Sequence, residues 1–152
     1  MQTRRQMMQR SAAVAGLLGG LGLLPQAAQA AWNSAAFEAK SMPDLLKALG
    51  ASAPSASSAV TITGPDIAEN GAVVPVGCAT TAAGVKQLLI LVEKNPNLLA
   101  AVFDVSDAVE PNFQTRVKMG QSSNVMAVAL TADNKVLFAQ KEIKVTLGGC
   151  GG

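Results

Sequence analysis

The fold is decided by Val125-Met126-Ala127-Val128-Ala129-Leu130-Thr131, a turn at Asp133-Asn134, and then Lys135-Val136-Leu137-Phe138-Ala139-Gln140-Lys141-Glu142-Ile143-Lys144-Val145-Thr146-Leu147. Two runs rich in β-branched and apolar residues around a short Asp-Asn turn read as adjoining strands. In the second run Ile143, Val145 and Leu147 alternate with charged or polar residues, the period of a strand with one buried face. Val136 and Phe138 have the opposite parity, so one inward face for the whole strand predicts a bulge between 139 and 142.

Working back towards the N-terminus, the same signals recur. Short strands are predicted at 60–62 before Gly64-Pro65, at 72–78 after a turn at Glu69-Asn70-Gly71, and at 87–93 before Asn95-Pro96-Asn97. Further strands follow at 98–105 and 114–119. About seven strands with no helical pattern between them make residues 59–147 an all-β antiparallel sandwich domain. Leu88-Leu89-Ile90-Leu91-Val92 does not alternate, so it is either buried on both faces or covered by a partner. Cys78 follows Val74 and Val76 at strand spacing and is expected to point into the core. Met119 and Met126 read as core filler and not as metal thioethers.

Ahead of the sandwich, Asn33-Ser34 can cap a short helix over 35–40. Ser41 with Pro43 opens a second over 44–49, closed by Gly50, with Leu45, Leu46 and Leu49 on one face. Residues 51–58 are rich in Ala, Ser and Pro and read as a linker, so 31–58 is a helical segment plus linker. Residues 1–30 read as a twin-arginine export signal. Arg4-Arg5 precede an apolar run at 12–24, too short to span a bilayer, and a small-residue cleavage site at Ala28-Gln29-Ala30. Cleavage removes Arg4, Arg5 and Arg10 from twelve basic residues, leaving nine against ten acidic and a net charge of −1. No basic patch or aromatic ladder points to nucleic acid, and no membrane anchor is expected in the mature chain.

The other end carries the chemistry. Gly148-Gly149-Cys150-Gly151-Gly152 sets one cysteine between two glycine pairs. Glycine has no Cβ and visits positive φ freely, so the tail reads as a flexible, sterically thin arm. Three residues beyond Leu147 reach about 10 Å. No Lys, Arg or helix N-terminus adjoins Cys150 to lower its pKa, so the thiol is not self-activated. The chain has no histidine, which excludes a histidine triad or a histidine-ligated metal within it, and no C-x-x-C pair supports a thiol oxidoreductase. The Asn, Asp and Gly of the turns at 69–71 and 133–134 are explained by backbone conformation. Neither metal ligands nor a cofactor site emerge, and no catalytic residue is assigned. A Cys78–Cys150 disulfide is disfavoured because it would pin the arm that the glycines free.

These residues resemble a known family. The Gly-Gly-Cys-Gly-Gly tail, Pro65-Asp66-Ile67-Ala68-Glu69-Asn70-Gly71 running into Val73-Val74-Pro75-Val76, Val117-Lys118-Met119-Gly120 and the twin-arginine signal are similar to SoxY, the sulfur-carrier subunit of bacterial thiosulfate oxidation. The resemblance covers essentially the whole chain, with Met7-Met8 where Phe-Leu is usual in the signal. It implies an immunoglobulin-like sandwich and a non-catalytic carrier in the periplasm. Cys150 would be the covalent attachment residue, with Gly148, Gly149, Gly151 and Gly152 as the swinging arm. It further implies a heterodimer with a SoxZ-like subunit and transient contact with haem c, hydrolase and sulfur dehydrogenase enzymes. The rival from another class is a secreted β-sandwich interaction subunit whose terminal cysteine forms an intermolecular disulfide. Export of folded protein suggests departure with a partner lacking its own signal. The apolar strands at 88–92 and 125–130 are the expected surface for that pairing.

Overall fold

The computed structural model describes residues 33–147, so the export signal expected at 1–30 and the arm at 148–152 lie outside the described residues. Two helices come first, α1 (Ser34–Glu38) and α2 (Met42–Leu49). Asn33 caps α1 by accepting from the Ala36 N–H at 3.1 Å, and its side-chain amide donates to the Ala48 carbonyl at 3.0 Å, tying the two helices together. Ser41 caps α2 reciprocally: its Oγ accepts from the Asp44 N–H and donates to the Asp44 carboxylate at 2.6 Å. Pro43 stands in the first turn, and Gly50 ends the helix at φ 62°, the left-handed conformation that glycine adopts without strain.

Nine strands follow among the described residues: β1 (Pro54–Ala56), β2 (Val60–Thr63), β3 (Ile67–Asn70), β4 (Val74–Thr80), β5 (Val85–Val92), β6 (Leu99–Asp104), β7 (Asn112–Val117), β8 (Ser123–Thr131) and β9 (Val136–Leu147). One sheet runs β1-β9-β8-β5-β6 with β3 also on β9; the other is β2-β4-β7. The long strands pair antiparallel, whereas β1 and β3 both lie parallel to β9, one along its first half and the other along its second. This is the expected immunoglobulin-like sandwich, with two extra edge strands.

The packing has three layers. Val60, Val74, Val76, Cys78, Leu88, Ile90, Val92, Met119, Val125 and Ile143 fill the space between the sheets. A second cluster joins Ala36, Leu45 and Leu46 of the helical segment to Leu89, Leu91, Met126, Val128 and Val136 on the opposite face of the large sheet. Successive side chains of a strand point to opposite faces, so a central strand packed on both sides must be apolar throughout.

That arrangement corrects four expectations. The β8–β9 register is unbroken from Leu130↔Val136 to Ser123↔Ile143, so β9 has no bulge at 139–142. Its two parities serve two cores: Val136 and Phe138 face the helices, and Ile143 and Val145 face the second sheet. Residues 88–92 are wholly buried within the chain and 125–130 almost so, hence neither run is free to bind a subunit. Residues 51–58 are not merely a linker, because Pro54–Ala56 forms β1, with Pro54 where a missing N–H is tolerated, at the start of an edge strand. Glu69 belongs to β3, and Asn70, the last residue of that strand, opens the turn: its side chain accepts from the Ala72 N–H at 2.9 Å and its carbonyl from the Val73 N–H at 3.5 Å. The turn between β8 and β9 does form, with Asn134 at φ 62°.

Candidate functional site

The arm expected at 148–152 follows Leu147 in the sequence, and the structure describes the strand that leads to it. The last residues of β9 are held on both flanks. On one side Lys144, Val145 and Leu147 pair with Ile67, Ala68 and Asn70. On the other, Ile143 pairs with Ser123, and the Ser122 hydroxyl accepts from the Val145 N–H at 2.9 Å. The Leu147 carbonyl accepts from the Gly71 N–H at 2.8 Å, and the Gly71 carbonyl accepts from the Met119 N–H at 2.7 Å. Thr146 Oγ1 donates to the Glu69 carbonyl at 3.1 Å. Backbone groups that would be orphaned at a strand end are thus paired up to the final described residue.

Three sequence segments singled out for their family likeness meet here. Residues 65–71 supply β3 and Gly71, residues 73–76 open β4, and residues 117–120 end β7 and pass Met119 under the root. Met119 is fully buried and fills the core below the site, in a different layer from Met126. The Asn95 side chain braces the same end, donating to the Lys118 carbonyl at 2.7 Å. Gly71 and Met119 were not read as functional from the residues alone. Their one signal was position inside the family-like segments.

The electrostatics around the root are mild. Lys141 Nζ lies 2.8 Å from Asp66 Oδ1 and donates to the Gly64 carbonyl at 2.7 Å. The hydrogen bond from the Lys141 ammonium, with its charge, holds the Asp66 carboxyl below the usual carboxylate range. Asp133, at the far turn, is lowered to about 2 by hydrogen bonds first from Lys135 and then from Thr131. That explains Asp133 as a turn residue satisfied by its neighbours.

Cys78 sits where its parity puts it, on β4 opposite Ile62 and Phe113, 1% exposed and without a disulfide. Burial pushes its thiol up to about 11, so it is a neutral core group at neutral pH. Among the described residues no group of three His, Cys, Asp or Glu side chains gathers in metal-binding geometry, and no helix is long and apolar enough to cross a membrane. Cys150 and Gly148, Gly149, Gly151 and Gly152 lie outside the described residues. What the described residues provide is a β9 whose backbone is paired on both flanks up to Leu147.

The family model for sulfur oxidation protein SoxY matches residues 45–150, from α2 through Cys150. The solved structure of the sulfur carrier protein SoxY from Chlorobium limicola f thiosulfatophilum is similar at 35% identity and TM-score 0.56, over 62% of this chain and 84% of that one. A point variant of the superoxide reductase (neelaredoxin) from Ignicoccus hospitalis aligns at 18% identity and TM-score 0.50, over 57% of this chain and 78% of that one, a likeness of fold alone. No curated protein sequence matches the chain.

Proposed function

The chain belongs to the SoxY family of sulfur oxidation proteins, and from that membership we propose that it is a periplasmic carrier that holds thiosulfate-derived intermediates covalently on Cys150. The observation that carries the reading is the setting of Leu147: its carbonyl is held by the Gly71 N–H, Gly71 is held in turn by Met119, and the next residues in the sequence are Gly148-Gly149-Cys150-Gly151-Gly152. A fixed mount with a thin arm presents a thiol to several active sites without presenting the fold.

The chemistry follows from what the thiol can and cannot do. Unassisted, a cysteine near its ordinary pKa of about 8.5 is mostly protonated at neutral pH, so reaction waits for the enzyme that admits it. In the first step the Cys150 S–H bond is lost and an S–S bond forms to the outer sulfur of thiosulfate. One proton leaves, and two electrons pass to a haem c enzyme as oxidant. In the next, a hydrolase adds water across the bond between sulfane sulfur and sulfonate, releasing sulfate and leaving a persulfide on Cys150. A sulfur dehydrogenase then takes six electrons from the outer sulfur while three waters supply its oxygens, and hydrolysis of the resulting sulfonate releases sulfate and returns the Cys150 thiol. The carrier contributes attachment and delivery; a SoxZ-like subunit completes the complex, and twin-arginine export brings both to the periplasm. Cys78, neutral and enclosed, stays out of this chemistry.

The test is intact mass of the protein purified from cells oxidising thiosulfate. Substrate-dependent adducts on Cys150 are expected. A doubled mass with no adduct would support the disulfide-linked interaction subunit instead.

A further inference from the structure

One cleft of this molecule is lined by two cations and by no carboxylate. It lies between the turn at 95–97, the start of β6 and the end of β7, with a volume of about 370 Å³. Its walls are tied together by one side chain: the Asn95 amide donates to the Lys118 carbonyl at 2.7 Å and accepts from the Gly120 N–H at 3.4 Å. The fold thus fixes the shape of the cleft. Two other clefts differ. One, at Thr63, Gly77 and Gln114, has no charged lining, and the other holds Lys86 together with Asp104.

The two cations are Arg116 and Lys118, both exposed, on β7 and just beyond it. Arg116 is the one arginine beyond residue 30. Ion pairs among the described residues join Lys135 to Asp133 and Lys141 to Asp66, which leaves Arg116 and Lys118 without a counter-charge. The backbone adds a donor. The Thr80 N–H bonds to the Pro111 carbonyl, and bonded pairs alternate along an antiparallel ladder, so residues 113, 115 and 117 turn their backbone groups towards β4. The Arg116 N–H is left facing the free edge of β7, which is the outer strand of its sheet.

These groups select among anions. Arg and Lys side chains donate and have no acceptor, and the Asn95 oxygen is already engaged by Gly120. Hydrogen phosphate keeps a proton near neutral pH and has to place it on an acceptor, for which a carboxylate is the best partner; none lines this cleft. Sulfate and thiosulfate are fully ionised and present acceptors alone. Their two negative charges match the two unpaired positive ones, and the planar guanidinium fork can hold two oxygens of one tetrahedral anion side by side.

We propose that the cleft between the 95–97 turn and β7 is a reversible binding site for a fully ionised sulfur oxyanion, sulfate or thiosulfate, held by Arg116 and Lys118. The contact is non-covalent, needs no thiol and does not rest on the carrier reading. In a carrier it would keep free cargo or released product on the surface of the fold.

The experiment uses the full mature chain, with any companion subunit bound, carrying Cys150→Ser so that covalent loading cannot contribute. Sodium sulfate, thiosulfate and phosphate are titrated in turn near neutral pH and followed by NMR, with sodium chloride holding the ionic strength constant. Saturable shifts at Arg116 and Lys118 are expected with sulfate and with thiosulfate, with a Kd on the order of 1–10 mM. Phosphate should bind at least about threefold more weakly. Arg116→Gln should weaken sulfate binding by about tenfold or more and Lys118→Gln should weaken it too, with the unfolding midpoint unchanged because both side chains are exposed. Lys40→Gln, an exposed lysine of the helical segment, should bind sulfate as the parent does. Shifts that do not saturate, or that chloride alone reproduces, overturn the site, as does an unchanged Kd in Arg116→Gln. Phosphate bound as tightly as sulfate overturns the ligand class. The carrier reading fails separately, by the absence of adducts on Cys150.

Discussion

Truncating Ile143 to alanine tests whether the arm's mount draws its rigidity from the inter-sheet core. Ile143 is fully buried on β9, four residues before Leu147, and packs with Val74, Val76, Met119 and Val125. The substitution removes three carbons. At about 0.8 kcal/mol per buried carbon, the lost transfer energy is about 2.4 kcal/mol. An unrelaxed cavity of about 75 Å³ adds about 1.8 kcal/mol at about 24 cal/mol per Å³. A loss of about 4 kcal/mol is therefore expected, less where neighbours relax into the space. Urea unfolding at 25 °C should show a lower midpoint with an unchanged m-value. Native-state hydrogen exchange should show the Gly71 N–H, which bonds to the Leu147 carbonyl, losing protection by a similar free energy. A loss below about 1 kcal/mol, or an unaffected Gly71 amide, would refute the packing that links core to root.

Three further outcomes follow. Gly77→Ala would place a Cβ 2.5 Å from Thr63 Oγ1 and 3.3 Å from Gln114 Cγ, so it should cost about 1–3 kcal/mol in urea unfolding, with most of the loss recovered by adding Thr63→Ala. Asp133 has its carboxyl lowered in the fold to about 2 from an ordinary 3.8, so its contribution is present above pH 3.8 and lost as pH falls towards 2. The stability gap between wild type and Asp133→Asn should accordingly be flat near neutrality and shrink through that window, and a gap constant from pH 7 to pH 2 would contradict the assignment. Replacing Gly149 and Gly151 by Val should slow conjugation by partner enzymes while leaving Cys150 reactive towards a small thiol reagent, since β-branching stiffens and thickens the arm; equal loss towards both would mean the glycines tune the thiol and not its access.

Much of this architecture could be read from the chain before the structure. The alternation of Ile143, Val145 and Leu147, the turn at 133–134 and the helix signals at Asn33, Ser41 and Gly50 are local, and local signals survive into the fold. The helical cover on the large sheet could not be read in the same way. Without it, Val136 and Phe138 conflict with Ile143 and suggest a bulge, and residues 88–92 and 125–130 suggest an open interface. With it, each parity has its own core. β1 and β3 escaped for a related reason. Pro54-Ser55-Ala56 and Ile67-Ala68-Glu69-Asn70 carry little strand propensity of their own and become strands by pairing with β9, about 80 residues away. The arm expected at 148–152 lies outside the described residues, and its reading rests on local composition alone, glycines around one cysteine. The clamp formed by Gly71 and Met119 needed tertiary context, because backbone hydrogen bonds leave no trace in side-chain pattern.

The central claim is that Cys150 carries the substrate. Its most direct test is the intact mass of the purified carrier complex after incubation with thiosulfate and the conjugating haem c enzyme, comparing wild type with Cys150→Ser. Wild type should gain the mass of thiosulfate and lose it to a reductant. Cys150→Ser should gain nothing while its unfolding free energy stays within about 0.5 kcal/mol of wild type. A thiosulfate adduct retained in Cys150→Ser would contradict the account.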